Sequence, residues 1–314
     1  MKTLEENDHD VRKIIFVGLD NAGKTSIILA LLREMSKLAV ISPTRHAKRR
    51  TLEFLGMKIS EWDLGGHERY RRQYLENAEF YFRGTDILIY VIDIQDYDRI
   101  VESYTYLNQI LKKLNELKLN PAIYIFFHKN DPNITNSIQI KINNTISYIK
   151  EKIEANQNSN KFKLYKTTIF DLSSIINAIS KIFLNLFSRV EVIKRAIQDF
   201  VLKSGIEGIE LLDDNSLIIG SYYQNNNIKR ILNSLSPYFL RLNDGFENLK
   251  ALNDDSEIHM VVEKFGKYFI FKKFRIKKQI FPYYILLCTT ESFLKRSEIE
   301  ALIQLLREIL SHEV

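Results

Sequence analysis

Eight consecutive residues, Gly18-Leu19-Asp20-Asn21-Ala22-Gly23-Lys24-Thr25, carry the pattern G-x-x-x-x-G-K-T. Glycines at both ends of the pattern let successive backbone N–H groups turn into one concavity, and a helix opening behind it adds the positive end of its dipole. A polyphosphate is the natural occupant of such a cradle. Lys24 would neutralise its terminal oxygens, and the Thr25 hydroxyl would ligate a bridging Mg2+. Asp20, Asn21, Ala22, Gly23 and Ser26 complete the candidate phosphate contacts. The alternative is a plain glycine turn. The flanks favour the cradle, because an apolar strand-like run, Lys13–Val17, precedes it and a helical run, Ser26–Arg33, follows.

A phosphate loop alone does not separate kinases, ATPases and other nucleotide hydrolases, so the later constellations decide. Pro43-Thr44 precedes Asp63-Leu64-Gly65-Gly66-His67. A threonine hydroxyl at the end of a mobile loop can complete a Mg2+ shell, an aspartate can hold the same ion through water, and the Gly66 N–H can meet a γ-phosphate. When that phosphate leaves, both segments lose their anchor. A loop threonine beside an ordinary strand-end turn is the competing reading. His67 stands where a side chain could orient the attacking water, or it is a surface histidine in a mobile segment. Lys24, Thr44, Gly66 and His67 are thus the candidate catalytic set.

His128-Lys129-Asn130-Asp131 follows the strand-like run Pro121–Phe127. A carboxylate at Asp131 can accept from both N1–H and N2–H₂ of guanine, a donor pair adenine lacks. The Lys129 stem would lie along the base. Thr168 and Ile169, at the end of the next strand-like run, are candidates to offer a backbone N–H to the guanine O6, with Thr168 the expected donor.

The elements that must hold these residues alternate. Strand-like runs over 13–17, 51–55, 57–62, 86–93, 121–129 and 163–170 are separated by helical patterns over 68–82, 97–117, 137–154 and 172–187. The alternation predicts an α/β fold with a doubly wound, mainly parallel sheet, whose ligands sit at the carboxyl ends of strands. The rhythm changes after residue 188. From there the pattern reads helix, two strands, a long helix, three strands and a closing helix, with turns at 213–215 and 265–267. This predicts two domains, 1–188 and 189–314, the second an α+β domain with a five-stranded antiparallel sheet.

Composition narrows the setting. The 314 residues are 45% hydrophobic and 27% charged, ordinary values for a folded chain of two domains. A single cysteine, Cys288, lies in an apolar run and excludes a disulfide framework or cysteine metal cluster. With no signal peptide expected, a cytoplasmic location follows. No apolar run is long enough to span a bilayer, and no lipid anchor is expected from residue 2, a lysine, or from the closing Ser-His-Glu-Val. The net charge of +6 is too diffuse to argue for nucleic acid. Two basic segments are notable. Arg45–Arg50 is either solvated or faces an acidic partner. Lys272–Lys278 reads as a lysine-protected edge strand or a weak contact with anionic lipid. Arg69, Arg71 and Arg72 read as a solvated or partner-facing surface, although one of them could reach the phosphates.

The sequence Gly18–Thr25, the Pro43-Thr44 pair and Trp62–His67 resemble the Arf and Sar small GTPases. His128–Asp131, Thr167–Asp171 and the Phe54-Leu55-Gly56 turn are more similar to the Rag/Gtr GTPases. The order of elements after residue 188 is similar to the roadblock/longin-like domain of that family. The resemblance implies the small GTPase fold, GTP/GDP and Mg2+ as ligands (with Thr25, Thr44 and Asp63 at the metal), and exchange and activating proteins as regulators. It also implies dimerisation with another roadblock-containing protein or with a second copy. A monomer stays open. So does a non-hydrolysing scaffold in which the nucleotide is structural; a P-loop kinase or ATPase gives no reason for Asp131.

Overall fold

The computed structural model describes residues 11–40, 42–55, 57–154, 162–187, 190–248, 259–276, 281–290 and 296–311. The described residues form two compact units that meet in sequence between Ile175 and Ile176. Expectations that rested on residues 1–10, on Gly56, on the 155–160 loop or on Lys277 and Lys278 lie outside the described residues.

In the first unit, strands β1 (Val11–Val17), β2 (Ala47–Phe54), β3 (Met57–Leu64), β4 (Ile87–Asp93), β5 (Ala122–His128) and β6 (Phe162–Thr167) form a six-stranded sheet ordered β2-β3-β1-β4-β5-β6. All pairings are parallel except that of β2 with β3. Six of the seven residues of β4 and of β5 are buried, the continuous apolar pattern expected of parallel strands covered on both faces. One face carries Ile15, Val17, Leu88, Tyr90, Ile92, Ile125 and Phe127. Against it pack Tyr106, Leu107, Ile110 and Leu114 of α4 (Ile100–Glu116) and Ile142, Ile146, Ile149 and Ile153 of α5 (Asn136–Glu154). The three-and-four spacing of those residues makes each helix amphipathic. Because β1 pairs with β3 on one side and β4 on the other, the strand order reverses there, and a crevice opens beyond its carboxyl end.

Local details depart from the sequence reading. The basic stretch at 45–50 is largely strand, since β2 begins at Ala47. Arg49 lies 3.6 Å from the Trp62 ring centroid and Arg50 pairs with the buried Glu61, so cross-strand partners extend the ladder. The helix expected over 68–82 is two helices, α2 (Glu68–Glu76) and α3 (Ala78–Phe82). Asn77 breaks them with non-helical dihedrals, and its side-chain amide donates to the Gln73 carbonyl.

The second unit contains α7 (Val190–Ser204), β7 (Gly208–Leu212), β8 (Ile218–Tyr223), α8 (Asn226–Asn248), β9 (His259–Lys264), β10 (Lys267–Phe274), β11 (Tyr283–Thr289) and α9 (Arg296–Ser311). α6 (Leu172–Leu184) precedes them. The five strands form an antiparallel sheet ordered β8-β7-β11-β10-β9. Phe265 and Gly266, at φ 55° and 67°, turn β9 into β10 while Lys264 pairs with Lys267. That is the two-residue hairpin geometry with φ positive at both central positions. Asn225 accepts the N–H groups of Asn227 and Ile228, which starts α8 two residues before the apolar pattern does.

β10 lies between β11 and β9, which removes the edge-strand explanation for its lysines. Lys272 is buried and paired with Glu300 of α9. Phe271 stacks between Phe239 and Tyr284, and Cys288 is fully buried, its thiol pushed up to about 12 mainly by that burial. Among the described residues no helix is long and apolar enough to cross a membrane.

Candidate guanine-nucleotide site

The phosphate loop joins β1 to α1 (Lys24–Leu31) at the crevice. A Cβ on Gly18, at φ 150°, would lie 2.2 Å from the Val91 carbonyl oxygen. One on Gly23, at φ 93°, would lie 2.3 Å from the His128 ring. Both positions therefore need glycine for conformation and for space. Asn21 takes a left-handed conformation at φ 59°, which asparagine tolerates, and Ala22 is buried. Ser26 is half-buried in the first turn of α1.

Lys24 is 5% exposed, and its ammonium donates to the carbonyls of Gly18 (3.1 Å) and Leu19 (2.7 Å). Burial pushes its pKa down to about 8, against the opposing pull of Asp63 and Asp20. A cation held on loop carbonyls in a dry site is poised for an anion.

Three oxygen-bearing residues from three elements converge beside it. The Thr25 hydroxyl donates to Asp63 Oδ2 at 2.6 Å, the Thr44 hydroxyl reaches the same oxygen at 3.2 Å, and the two hydroxyls are 2.9 Å apart. Asp63 is completely buried, and its Oδ1 has no hydrogen-bond partner among the described residues. Two hydroxyls and a half-satisfied buried carboxylate form a hard-oxygen donor set, and it fits Mg2+.

Gly66 passes directly against the loop. A Cβ there would lie 2.1 Å from the Asp20 nitrogen and 2.2 Å from the Leu19 carbonyl carbon. The preceding N–H, of Gly65, donates to the His46 carbonyl at 3.0 Å, which ties the two candidate mobile segments together. His67 is exposed and caps α2, its Nδ1 accepting the Arg69 N–H at 3.4 Å. As an acceptor at Nδ1, the neutral ring carries its proton on Nε2.

At the other end of the crevice, His128 closes β5. Its Nδ1 is 3.0 Å from the Thr167 hydroxyl, and its opposite edge lies against Gly23. Burial pushes its pKa down to about 4, so it is neutral at physiological pH and braces the loop rather than charging it. Lys129 is ion-paired with Asp93 at 2.6 Å. Asp131 accepts from the Thr168 hydroxyl and, at 2.8 Å, from Gln95 Nε2, which also donates to the Lys129 carbonyl at 2.6 Å. Such a clamp fixes the carboxylate's aim before any base arrives. The Thr168 N–H donates to the Ser174 hydroxyl at 3.0 Å, whereas the N–H of Ile169 has no acceptor among the described residues. Of the two candidate N–H groups, that of Ile169 is thus the one without an acceptor among the described residues.

Gln95, Asp93 and Arg99 escaped the sequence reading, although Asp93 ends β4 and the other two follow it at the carboxyl edge of the sheet, where ligand-facing residues collect. Arg71 was read there as surface. It is 8% exposed, lies 5.1 Å from the Tyr106 ring centroid, and pairs with Glu102. Arg69 and Arg72 are exposed, Arg72 pairing with Glu68.

A solved structure similar to this chain is the Arl6 (BBS3) small GTPase from Trypanosoma brucei, determined with a bound nucleotide analogue, GppNp. The two share 18% identity at a TM-score of 0.42, over 55% of this chain and 94% of that one. The pattern of the Gtr1/RagA G protein conserved region matches residues 13–267, most of the chain and parts of both units. This chain belongs to the Gtr1/RagA family of G proteins.

Proposed function

We propose that this GTP-binding protein is a molecular switch that binds GTP and GDP with Mg2+, hydrolyses GTP slowly by itself, and reports the difference through residues 42–47 and 63–77. The observation that carries the reading is the convergence of Thr25 and Thr44 on Asp63, since the segments bearing them are otherwise far apart in sequence. Thr25, Thr44 and Asp63 would hold Mg2+, which would neutralise negative charge on the phosphates. Lys24 and the N–H groups of residues 20–26 bind the phosphates and stabilise charge as it spreads over the γ-phosphate oxygens. Gly66 anchors its segment on that phosphate, and Asp131, with the Ile169 N–H, selects guanine. The attacking water would come in line with the γ-phosphorus.

His67 is the weak point of catalysis. In the free protein its Nδ1 is occupied as a helix cap. The expected unassisted turnover is therefore at or below about 10⁻⁴ s⁻¹, and activating and exchange proteins would set the working rates. Several turnovers per minute by the purified chain would refute this. Fluorescent-nucleotide titration tests the binding: tight GTP and GDP binding with ATP excluded is expected, and equal ATP binding would overturn the assignment.

We further propose that residues 189–314 are a roadblock/longin-like dimerisation domain, acting in the cytoplasm on another such domain or a second copy. α8 exposes Tyr238, Leu242 and Phe246 at four-residue intervals, and the edge strand β9 exposes Val261 and Val262. An apolar helix stripe and a strand at the end of the sheet both suit a partner. Mass measurement with GDP and with a GTP analogue reads nucleotide and subunit number together. A second reading, a non-hydrolysing scaffold with structural nucleotide, draws on the His67 cap; identical partner affinity in both nucleotide states would favour it.

A further inference from the structure

Asp20 puts a carboxylate on the phosphate loop itself, between the amides that face a polyphosphate, and a negative charge there repels the ligand. The structure supplies its counter-charge from elsewhere. Arg99, at the end of the 3₁₀ turn Tyr97–Arg99, donates from Nη2 to Asp20 Oδ1 at 2.7 Å and from Nε to Glu102 Oε2 at 3.0 Å. The other oxygen of Glu102 accepts from Arg71 Nη2. Arg71 belongs to α2, the helix that follows Gly66, and is itself 8% exposed. Charges thus alternate in a chain, Asp20⁻–Arg99⁺–Glu102⁻–Arg71⁺, running from the phosphate loop to the candidate switch helix. Gly66 closes the loop by a second route, because its backbone lies directly against the Asp20 nitrogen. Asp20 therefore sits at the end of the cradle nearest the Gly65-Gly66 segment, where the third phosphate of a triphosphate would lie.

We propose that Arg99 is a positioning residue that sets the preference for triphosphate over diphosphate. It neutralises the Asp20 carboxylate and turns it away from the γ-phosphate, and through Glu102 it makes that state depend on the position of α2. The inference rests on the nucleotide reading above. Nothing in the G-x-x-x-x-G-K-T pattern requires this arginine, since the loop could be built with an uncharged residue at position 20 and no counter-ion.

The test is the ratio of dissociation constants for fluorescent GDP and a fluorescent non-hydrolysable GTP analogue, measured with Mg2+ in the full chain. Arg99→Gln is expected to shift that ratio against the triphosphate by about tenfold, the order of an uncompensated unit charge a few ångströms away. Arg99→Lys, which keeps the charge, is expected to stay within about threefold of wild type. On an Asp20→Asn background, where no carboxylate needs screening, adding Arg99→Gln is expected to leave the ratio unchanged. An unaltered ratio in Arg99→Gln overturns the proposal. So does a tenfold loss that persists on the Asp20→Asn background, which would mean that Arg99 acts on the phosphate directly or only supports the fold. Wild-type protein that binds neither nucleotide would instead sink the nucleotide reading, and this proposal with it.

Discussion

Nucleotide binding should draw a proton onto Lys24. In the free protein its ammonium is buried against two carbonyls, and the cost of desolvating the charge holds its pKa at about 8 instead of 10.5. Phosphate oxygens would supply the missing counter-charge and return the value to the ordinary lysine range or above. The sign follows: between those limits the complex holds a proton that the free protein lacks, so affinity falls as pH rises through 8. With those values, uptake is about 0.1 proton at pH 7, about half a proton at pH 8 and about 0.9 at pH 9, and affinity falls roughly tenfold from pH 7 to pH 9, or about 1.4 kcal/mol. Calorimetric titration with GDP in buffers of different ionisation enthalpy measures the uptake, and carbon-13 labelling of lysine Cε follows the group itself. Lys13 is an internal control. Burial and then the nearby Arg49 push it down to about 8 as well, but its ammonium is held by the carbonyls of Tyr81 and Arg83. Two lysine resonances should titrate near pH 8 in the free protein, and only one should move when nucleotide is added; Lys13→Met identifies the other. A Lys24 midpoint near 10.5 before binding, or no buffer-dependent heat at pH 8.5, would refute the reasoning.

Asp131→Ala would remove the two charge-assisted bonds proposed to guanine, about 1.5–3 kcal/mol each, so GTP affinity should drop by two orders of magnitude or more with no gain in ATP binding; retained GTP preference would remove this account of specificity. Gly66→Ala drives a methyl into the backbone at Leu19 and Asp20, a contact that no side-chain rotation relieves. The overpacking cost is about 1–3 kcal/mol and should appear as a lower melting temperature of the nucleotide-free protein, with the wild-type chain as the reference. In the second unit, burial pushes Glu210 up to about 7, with the Tyr223 hydroxyl donating to it at 2.9 Å. A folded pKa above the unfolded 4.5 means that the folded state holds a proton between those values. Stability should therefore decline from pH 4.5 to 7 and level off above. Asp213 and Glu61, likewise pushed up to about 7 mainly by burial, share in that slope, so Glu210→Gln should make it shallower and gain up to about 3 kcal/mol at pH 8 in urea unfolding. A wild-type curve flat over this window would contradict the burial argument.

The phosphate loop is legible in the chain because it is local: eight contiguous residues, two glycines and the strand and helix on either side specify a cradle without help from the rest. Strand and helix order were legible for a related reason, since apolar runs and three-and-four spacings are short-range consequences of which face is buried. The break at Asn77 and the early start of α8 turned on single side-chain hydrogen bonds, which periodicity does not register. What the chain could not disclose are the pairings that depend on sheet order. Arg99 meets Asp20 because β4 lies beside β1, and Gln95 meets Asp131 because β5 lies beside β4. Packing of α2 against α4 buries Arg71, whose side chain reads as a surface one, and the turn into α6 takes the Thr168 N–H for Ser174. Residue types carry the chemistry along the chain, but a charge acquires its partner, its burial and its pKa only when distant strand ends are brought to one edge of the sheet.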